Sequence, residues 1–453
     1  MPGEPSQPAS HAVGLRRTLG LWDLILYGII IIQPVAPMPS FGVVSNAAHG
    51  HVVTAILIAM VAMLFTAISY GRMARVYPSA GSAFTYVGRE LHPALGYITG
   101  WSMAMDYILN PLICTIWCSK AAQNFFPQMP YFLWAIFFAL LFTWLNLRGV
   151  ETSARINAIL AAGMGVVIVI FVVEAVRYIY HLQPFAPGFF SHPFYDPQTF
   201  SSSALFRGTS IAVLTYIGFD GISTLSEEVK DPRRNVLLAT VLVCLITGVL
   251  ASVEVYLGQL IWPASQPFPD VTTAFVHISG RVGGIFLFGL VNLTLLIANM
   301  GSGMTSQLGA ARLLYGMGRS NALPRRFFSA IEPKNHVPRN NVLLVGAIAL
   351  AGAFLMNYDL GAEMLNFGAL IAFMGVNAAA FARYYLREEK KRLTNLVPPV
   401  LGFLICLFIW LHLGWPAKIA GGIWMIAGIV YGALKTRGFQ GNLVQFDFPV
   451  DEA

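Results

Sequence analysis

The chain has 453 residues, 56% of them hydrophobic and only 11% charged, with a mean hydropathy of +0.65. Soluble domains carry about 25% charged residues, so this composition excludes an ordinary soluble globule and indicates an integral membrane protein. The net charge of +7 belongs to the connecting loops and does not point to nucleic acid.

Residues 1–18 form a small, polar N-terminal tail. It lacks the apolar core and cleavage site of a signal peptide, so the first helix is predicted to be a permanent anchor. Windows of about 20 apolar residues then predict twelve spans in order: 20–46, 52–71, 94–121, 130–147, 156–176, 205–227, 236–262, 283–311, 341–357, 362–384, 398–414 and 417–434. With the N-terminus inside, 23 Lys and Arg fall on inner segments and five on outer ones. That bias orients the chain with both termini cytoplasmic, and anionic lipid would attract the basic rim. The outer connection, roughly 181–203, is rich in Pro, Phe, Ser and His, and a loop of this length caps something or moves. Cys114, Cys118, Cys244 and Cys406 all lie in apolar segments without metal-ligand spacing and read as small buried hydrophobes.

The first span is interrupted by "QPVAPMPS", with Pro34, Pro37 and Pro39 at mid-depth. Proline removes a backbone donor and clashes with the preceding turn. A second interruption falls in the sixth span, "VLTYIGFDGISTLSEE", where Gly218 and Gly221 flank Asp220. The two spans are five helices apart. Corresponding breaks in two halves of opposite topology mark a solute site near the bilayer midplane, because unwound backbone is tolerated there only where it is buried or lines a cavity. Pro37, Met38 and Gly218 are candidate lining residues. Prolines that merely kink a packing helix are the plainer reading.

An ionisable group inside a bilayer costs about 2.5–3.5 kcal/mol on insertion scales and marks a functional candidate. Asp106, Asp220 and Glu254 lie within predicted spans, with no Lys or Arg at comparable depth. This excess of negative charge suits a cationic solute, a coupling ion, or both. Asp220 and Asp106 are candidate substrate ligands, against a local cap and a buried hydrogen-bonded pair respectively; Glu254 is a candidate proton site or structural partner. Trp101, Tyr216, Phe219 and Trp117 could meet an ammonium group by cation–π attraction or simply pack. Glu227 and Glu228, followed by "VKDPRRN", could form an inner salt-bridge latch or a solvated helix end. Asn292, Asn299, Ser302 and Thr305 line a path or bind helices together. His49 and His51 read external acidity or are plain loop histidines. No phosphate loop, catalytic-triad spacing or metal cluster is visible, so neither an enzyme nor a cofactor is expected.

Three stretches carry a resemblance: "MLFTAISYGRMARVYPSAGSAFTYVGRELHPALGYITGWSMAMDYILNP", "GFDGISTLSEEVKDPRRN" and "ARLLYGMGRSNALP", in that order. The chain resembles the amino acid–polyamine–organocation superfamily of secondary transporters over residues 19–435, and within it bacterial putrescine importers. The resemblance implies an all-α fold of five-plus-five inverted repeats with two extra helices, helices 1 and 6 discontinuous, and alternating access. The repeats would span about 20–176 and 205–384, the extra helices 398–434, and a cytoplasmic tail 436–453. It also implies substrate contact at Asp220 and Tyr107. Amino acid permeases of this superfamily carry a Gly-rich run in helix 1, whose N–H groups cradle the substrate carboxylate. Here "QPVAPMPS" largely replaces it, which favours an amine without a carboxylate. Some proton-coupled relatives place a lysine in helix 5; this chain reads "INAILAAGMGVVIVIFVV" there, with no ionisable residue. The expected function is import of putrescine or a related polyamine, driven by protons or the membrane potential. An amino acid permease or exchanger, and a membrane enzyme or receptor, are the alternatives.

Overall fold

Proline, glycine and hydrogen-bonded caps divide the apolar sequence into helices. A computed structural model describes residues 19–77, 82–149, 154–319, 323–332, 335, 337–389 and 391–439. The predicted tail 1–18 and residues 440–453 lie outside them. In chain order the helices are α1 (Leu21–Ile32), α2 (Pro37–Ala47), α3 (Val52–Val76), α4 (Ser82–Glu90), α5 (Pro93–Phe125), α6 (Tyr131–Leu147), α7 (Ala154–Tyr180) and α8 (Ser202–Ala212). After two 3₁₀ segments come α9 (Pro232–Ile261), α10 (Ala274–Arg319), α11 (Arg325–Phe328), α12 (Arg339–Leu355), α13 (Tyr358–Phe381), α14 (Leu393–Leu411) and α15 (Trp415–Lys435). Among the described residues no strand forms; one isolated parallel bridge pairs Leu19 with Val229.

The helix starts are chemically marked. Asp23 accepts from the Gly20 amide at 2.8 Å, Ser201 from Ala204 at 3.4 Å and Asn357 from Leu360 at 3.0 Å. Each satisfies an amide that a helix N-terminus leaves without an intrahelical partner. Within α5, Pro111 removes one rung, and Thr115 Oγ1 donates to the Pro111 carbonyl at 2.8 Å. In α10 the helical dihedrals fail at Gly283 and Gly284, so the predicted span at 283–311 is the inner part of a longer, bent helix.

By length and composition seven helices can cross a membrane, or eight if the bent pair α1–α2 counts as one, among the described residues. The other predicted spans coincide with helices that are shorter (α6 and α12), less apolar (α5) or interrupted (α8 and the 3₁₀ segments).

The surface is apolar and parts of the interior are polar. Ile419, Ile423, Ile426 and Val430 form an exposed stripe along α15 at helical spacing. Inside, Asn377 donates to Thr66 Oγ1 at 3.0 Å, and Asn146 to Gln307 Oε1 at 2.9 Å. Asn292 donates to the Ala121 carbonyl at 2.8 Å and accepts from Asn124 at 3.1 Å. It therefore binds α10 to α5, the joining role open to it from sequence. Small residues bring helices close: a Cβ on Gly42 would stand 2.1 Å from the Val271 carbonyl oxygen, and one on Gly368 2.3 Å from that of Ser102.

The 181–203 connection is tied to the helix ends beneath it. Thr54 donates to the Phe194 carbonyl at 2.7 Å and Tyr256 to that of Phe190 at 3.2 Å. His51 is buried, with Nδ1 at 2.9 Å from the Ala48 carbonyl and Nε2 accepting from the Asp196 amide at 3.1 Å. It is thus a structural anchor for this loop.

Candidate functional site

Two helix interruptions touch each other. The first separates α1 from α2, whose axes are bent by 55°. Its first residue, Gln33, has φ 70° and donates from Nε2 to the Ala298 carbonyl of α10 at 2.9 Å. The backbone amides here are depleted. Pro34, Pro37 and Pro39 have none. Those of Gln33, Ala36 and Met38 are bonded to Ile29 (2.9 Å), Gln33 (3.1 Å) and Val35 (3.0 Å). A helix N-terminus normally presents free N–H groups to an anion; the first turn of α2, with buried Pro37 and Met38, presents few.

The second interruption follows α8. A 3₁₀ turn, Val213–Tyr216, leads through residues 217–218 into a 3₁₀ helix, Phe219–Glu228. Gly218 adopts φ 118°, which a residue with a Cβ rarely tolerates. A Cβ there would also stand 2.7 Å from Ile31 Cγ2, so the second interruption rests on the end of α1. At the far end of the same segment, Lys230 donates its amide to the Leu19 carbonyl at 2.8 Å.

Asp220 lies in the first turn of that 3₁₀ helix, where the Gly221 amide donates to the Gly218 carbonyl at 3.0 Å. Asp106 on α5 is within electrostatic reach of Asp220, and Tyr70 and Tyr107 are within reach of both. Among the described residues no Lys or Arg acts on either aspartate. The two aspartates are each 8% exposed, whereas Glu90, Glu254 and Glu363 are at 1%, 0% and 2%. Among the described buried acids, only these two keep appreciable accessible surface.

Aromatic rings wall the aspartates. Tyr70 of α3 meets Phe219 edge-on at 5.4 Å and Phe373 of α13 at 6.0 Å, and Phe219 lies 5.3 Å from Phe373. The Tyr70 hydroxyl is buried without a hydrogen-bond partner among the described residues. Tyr107 packs against Gly309 of α10. An ammonium group between the two aspartates would meet carboxyl oxygens with Tyr70 and Phe219 nearby.

Not every candidate gathers here. Trp101 stacks on Trp424 of α15 at 4.8 Å, and each indole N–H donates to the other's carbonyl, at 2.9 and 3.0 Å. That reciprocal lock holds α5 to α15. Tyr216 is fully buried and donates to the Ile56 carbonyl at 2.9 Å, joining the 3₁₀ turn to α3. Trp117 is fully enclosed in the core. Asn299 donates to its own helix at Leu295, 2.9 Å away. Glu254 sits apart from the aspartates on α9. The side chains of Glu227 and Glu228 lie outside the described residues.

A charged cluster at this end of the bundle escaped the sequence reading. Glu90, at the end of α4, pairs with Arg387 at 2.7 Å and Arg383 at 3.8 Å and accepts from Tyr77 at 2.8 Å. The arginines are delivered by a π-helical turn, Ala382–Leu386, that extends α13. Burial and the bond to Glu90 push the Tyr77 phenol up to about 12, so it stays a donor throughout the physiological range. At the opposite end Arg207 of α8 pairs with Glu363 of α13 at 3.2 Å, and the Gly414 amide donates to the same carboxylate at 3.2 Å. Each cluster bridges α13 to another element at one end of the bundle.

Residues 38–440 match the family model described as Amino acid permease. The chain belongs to the amino acid permease family, within the amino acid–polyamine–organocation superfamily. This permease is 32% identical to the low-affinity putrescine importer PlaP of Escherichia coli K12, over 97% of this chain and 98% of that protein. It is 25% identical to the branched-chain amino acid permease BcaP of Bacillus subtilis, over 93% and 94%. It is 24% identical to the methylthioribose transporter of the same organism, over 96% and 97%. The permease is accordingly a multi-pass membrane transporter and not an enzyme.

Proposed function

We propose that the chain imports a small cationic amine, putrescine or a related polyamine, across the cytoplasmic membrane by alternating access. The observation that carries this reading is the pairing of Asp106 and Asp220 beside a helix interruption depleted of amide donors. An α-amino acid needs a cradle for its carboxylate as well as a partner for its ammonium. A diamine needs only acceptors, and two are present. The similarity to a putrescine importer points the same way.

In this reading α1 and α2 form one broken span, and α8 with the 3₁₀ segments forms another. Twelve spans arise from two inverted repeats, about 20–176 and 205–384, plus helices within 398–434, with both termini cytoplasmic. The basic loops and the matching positions of the two breaks support this arrangement. Each positive charge moving inward gains about 2.3 kcal/mol per 100 mV of membrane potential, and a divalent amine gains twice that.

Uptake of labelled putrescine into proteoliposomes, competed by unlabelled compounds, tests the substrate class. Cadaverine and unlabelled putrescine should compete, with alanine and arginine at least an order of magnitude weaker. Stronger competition by alanine or arginine would favour an amino acid permease.

A further inference from the structure

Glu254 is a buried acid that neither the amine site nor a described salt bridge uses. It is 0% exposed, and neither carboxylate oxygen has a hydrogen-bond partner among the described residues. Its place along the membrane follows from the register of α9 with the first two helices. Gly28 meets Val243, Phe41 meets Gly258, and Gly50 meets Ala264, so the segments run side by side in the same direction. Glu254 lies one turn before Gly258. That puts it level with the first turn of α2, at Pro37–Phe41, and about 10 Å short of the end of α9 at Ile261.

Among the described residues no counter-charge acts on Glu254: the cations on the helices packed around α9, Arg72 and Arg75 of α3, Arg177 of α7 and Arg281, Arg312 and Arg319 of α10, do not reach it. α2 carries no titratable side chain. Tyr27 on α1, Tyr70 on α3, Glu174 on α7, His277 on α10, and Tyr216 and Asp220 on the 3₁₀ segments lie on the elements packed around α9. None of them acts on the Glu254 carboxyl. An ionised carboxylate without a partner in such a place costs several kcal/mol, whereas the neutral acid costs much less. In the arrangement seen here Glu254 is therefore a carboxylic acid. Releasing its proton requires the packing around α9, to which α2 contributes, to open to water. α2 is one half of the bent pair, so one of the segments packed on α9 lies beside the interruption that borders the amine site.

We propose that Glu254 is the proton-binding site through which this transporter couples to the proton gradient. The inference rests on the reading of the chain as an alternating-access importer. In one cycle the carboxylate takes a proton from water on the outer side, crosses the occluded state as the acid, and returns the proton to water on the inner side. The carboxyl is regenerated unchanged, and one proton moves inward with each amine.

The test uses the full-length protein in proteoliposomes with the membrane potential clamped at zero and the outside acidified. Labelled putrescine and an internal pH dye are read together. Wild type should accumulate putrescine uphill and acidify the lumen. Glu254→Gln should keep putrescine exchange within about twofold of wild type, lose uphill accumulation and leave the lumen pH unchanged. Uphill, pH-driven accumulation by Glu254→Gln would overturn the proposal. If that variant does not fold, wild type alone decides: uptake without lumen acidification overturns the proposal, and acidification supports it. The infrared spectrum gives a readout independent of transport. A protonated-carboxyl C=O band present in wild type and missing from Glu254→Gln supports the assignment, and identical spectra oppose it. The amine reading stands or falls separately. If putrescine is not carried but an amino acid is, the dye measurement is made with that amino acid. If exchange survives without proton movement, only the role of Glu254 fails.

Discussion

Asp220→Asn is expected to lower amine uptake by two to three orders of magnitude while the protein still folds and inserts. Removing one member of a buried, hydrogen-bonded charge pair costs about 2–5 kcal/mol, and 1.4 kcal/mol is a factor of ten. The ion pair in question would form between the carboxylate and the substrate ammonium, so the loss falls on transport. Folding should be spared because Asn matches Asp in size, and the turn around residue 220 is held by its own backbone, with the Gly221 amide donating to the Gly218 carbonyl at 3.0 Å. Uptake of labelled putrescine, with the melting temperature of the detergent-purified variant as control, measures both. Retention of near-wild-type uptake would remove Asp220 from the site.

Asp106→Asn should separate diamines from monoamines. Asp106 and Asp220 sit on different elements, α5 and the 3₁₀ helix, and each keeps accessible surface. A diamine can place one ammonium near each. Losing the second carboxylate should raise the KM for putrescine by about 30-fold or more, on the scale of 2 kcal/mol or above for a buried charged partner. A monoamine such as butylamine uses one end only and should change by less than about threefold. Equal losses for both amines would mean that Asp106 positions the site without meeting the second charge.

These expectations rest on features of unequal legibility. The proline cluster marks where α1 stops, because proline acts locally and needs no tertiary context. Gly218 is legible for a similar reason: a glycine beside an acid inside an apolar run implies a backbone conformation other residues avoid. Asp106, Asp220 and Glu254 stand out because charge is rare in such segments. Tyr70 does not. It lies within one of the stretches that carried the resemblance, but a tyrosine in an apolar helix reads as packing until Phe219 and Phe373 come to it from distant segments. Trp101 shows the opposite case: one of the aromatics weighed as a cation–π partner, it stacks on Trp424, more than 300 residues away in sequence. Glu90 was invisible because an acid near a helix end normally faces water. Its burial depends on arginines carried past the end of α13 by a π-helical turn. The bend of α10 at Gly283 and Gly284 was hidden because those residues read as the beginning of a span.

The central claim is that the interruption between α1 and α2 lacks the donors to hold an anion, and that carboxylates capture a cation instead. The most direct measurement is a cryo-electron-microscopy structure with bound putrescine, placing the amine nitrogens relative to Asp106, Asp220 and the backbone of residues 33–40. The account predicts nitrogens within hydrogen-bond distance of both carboxylates and no ligand atom bonded to those amides. An α-amino acid found in the same position, with its carboxylate accepting from the amides of Val35 to Ser40, would contradict it.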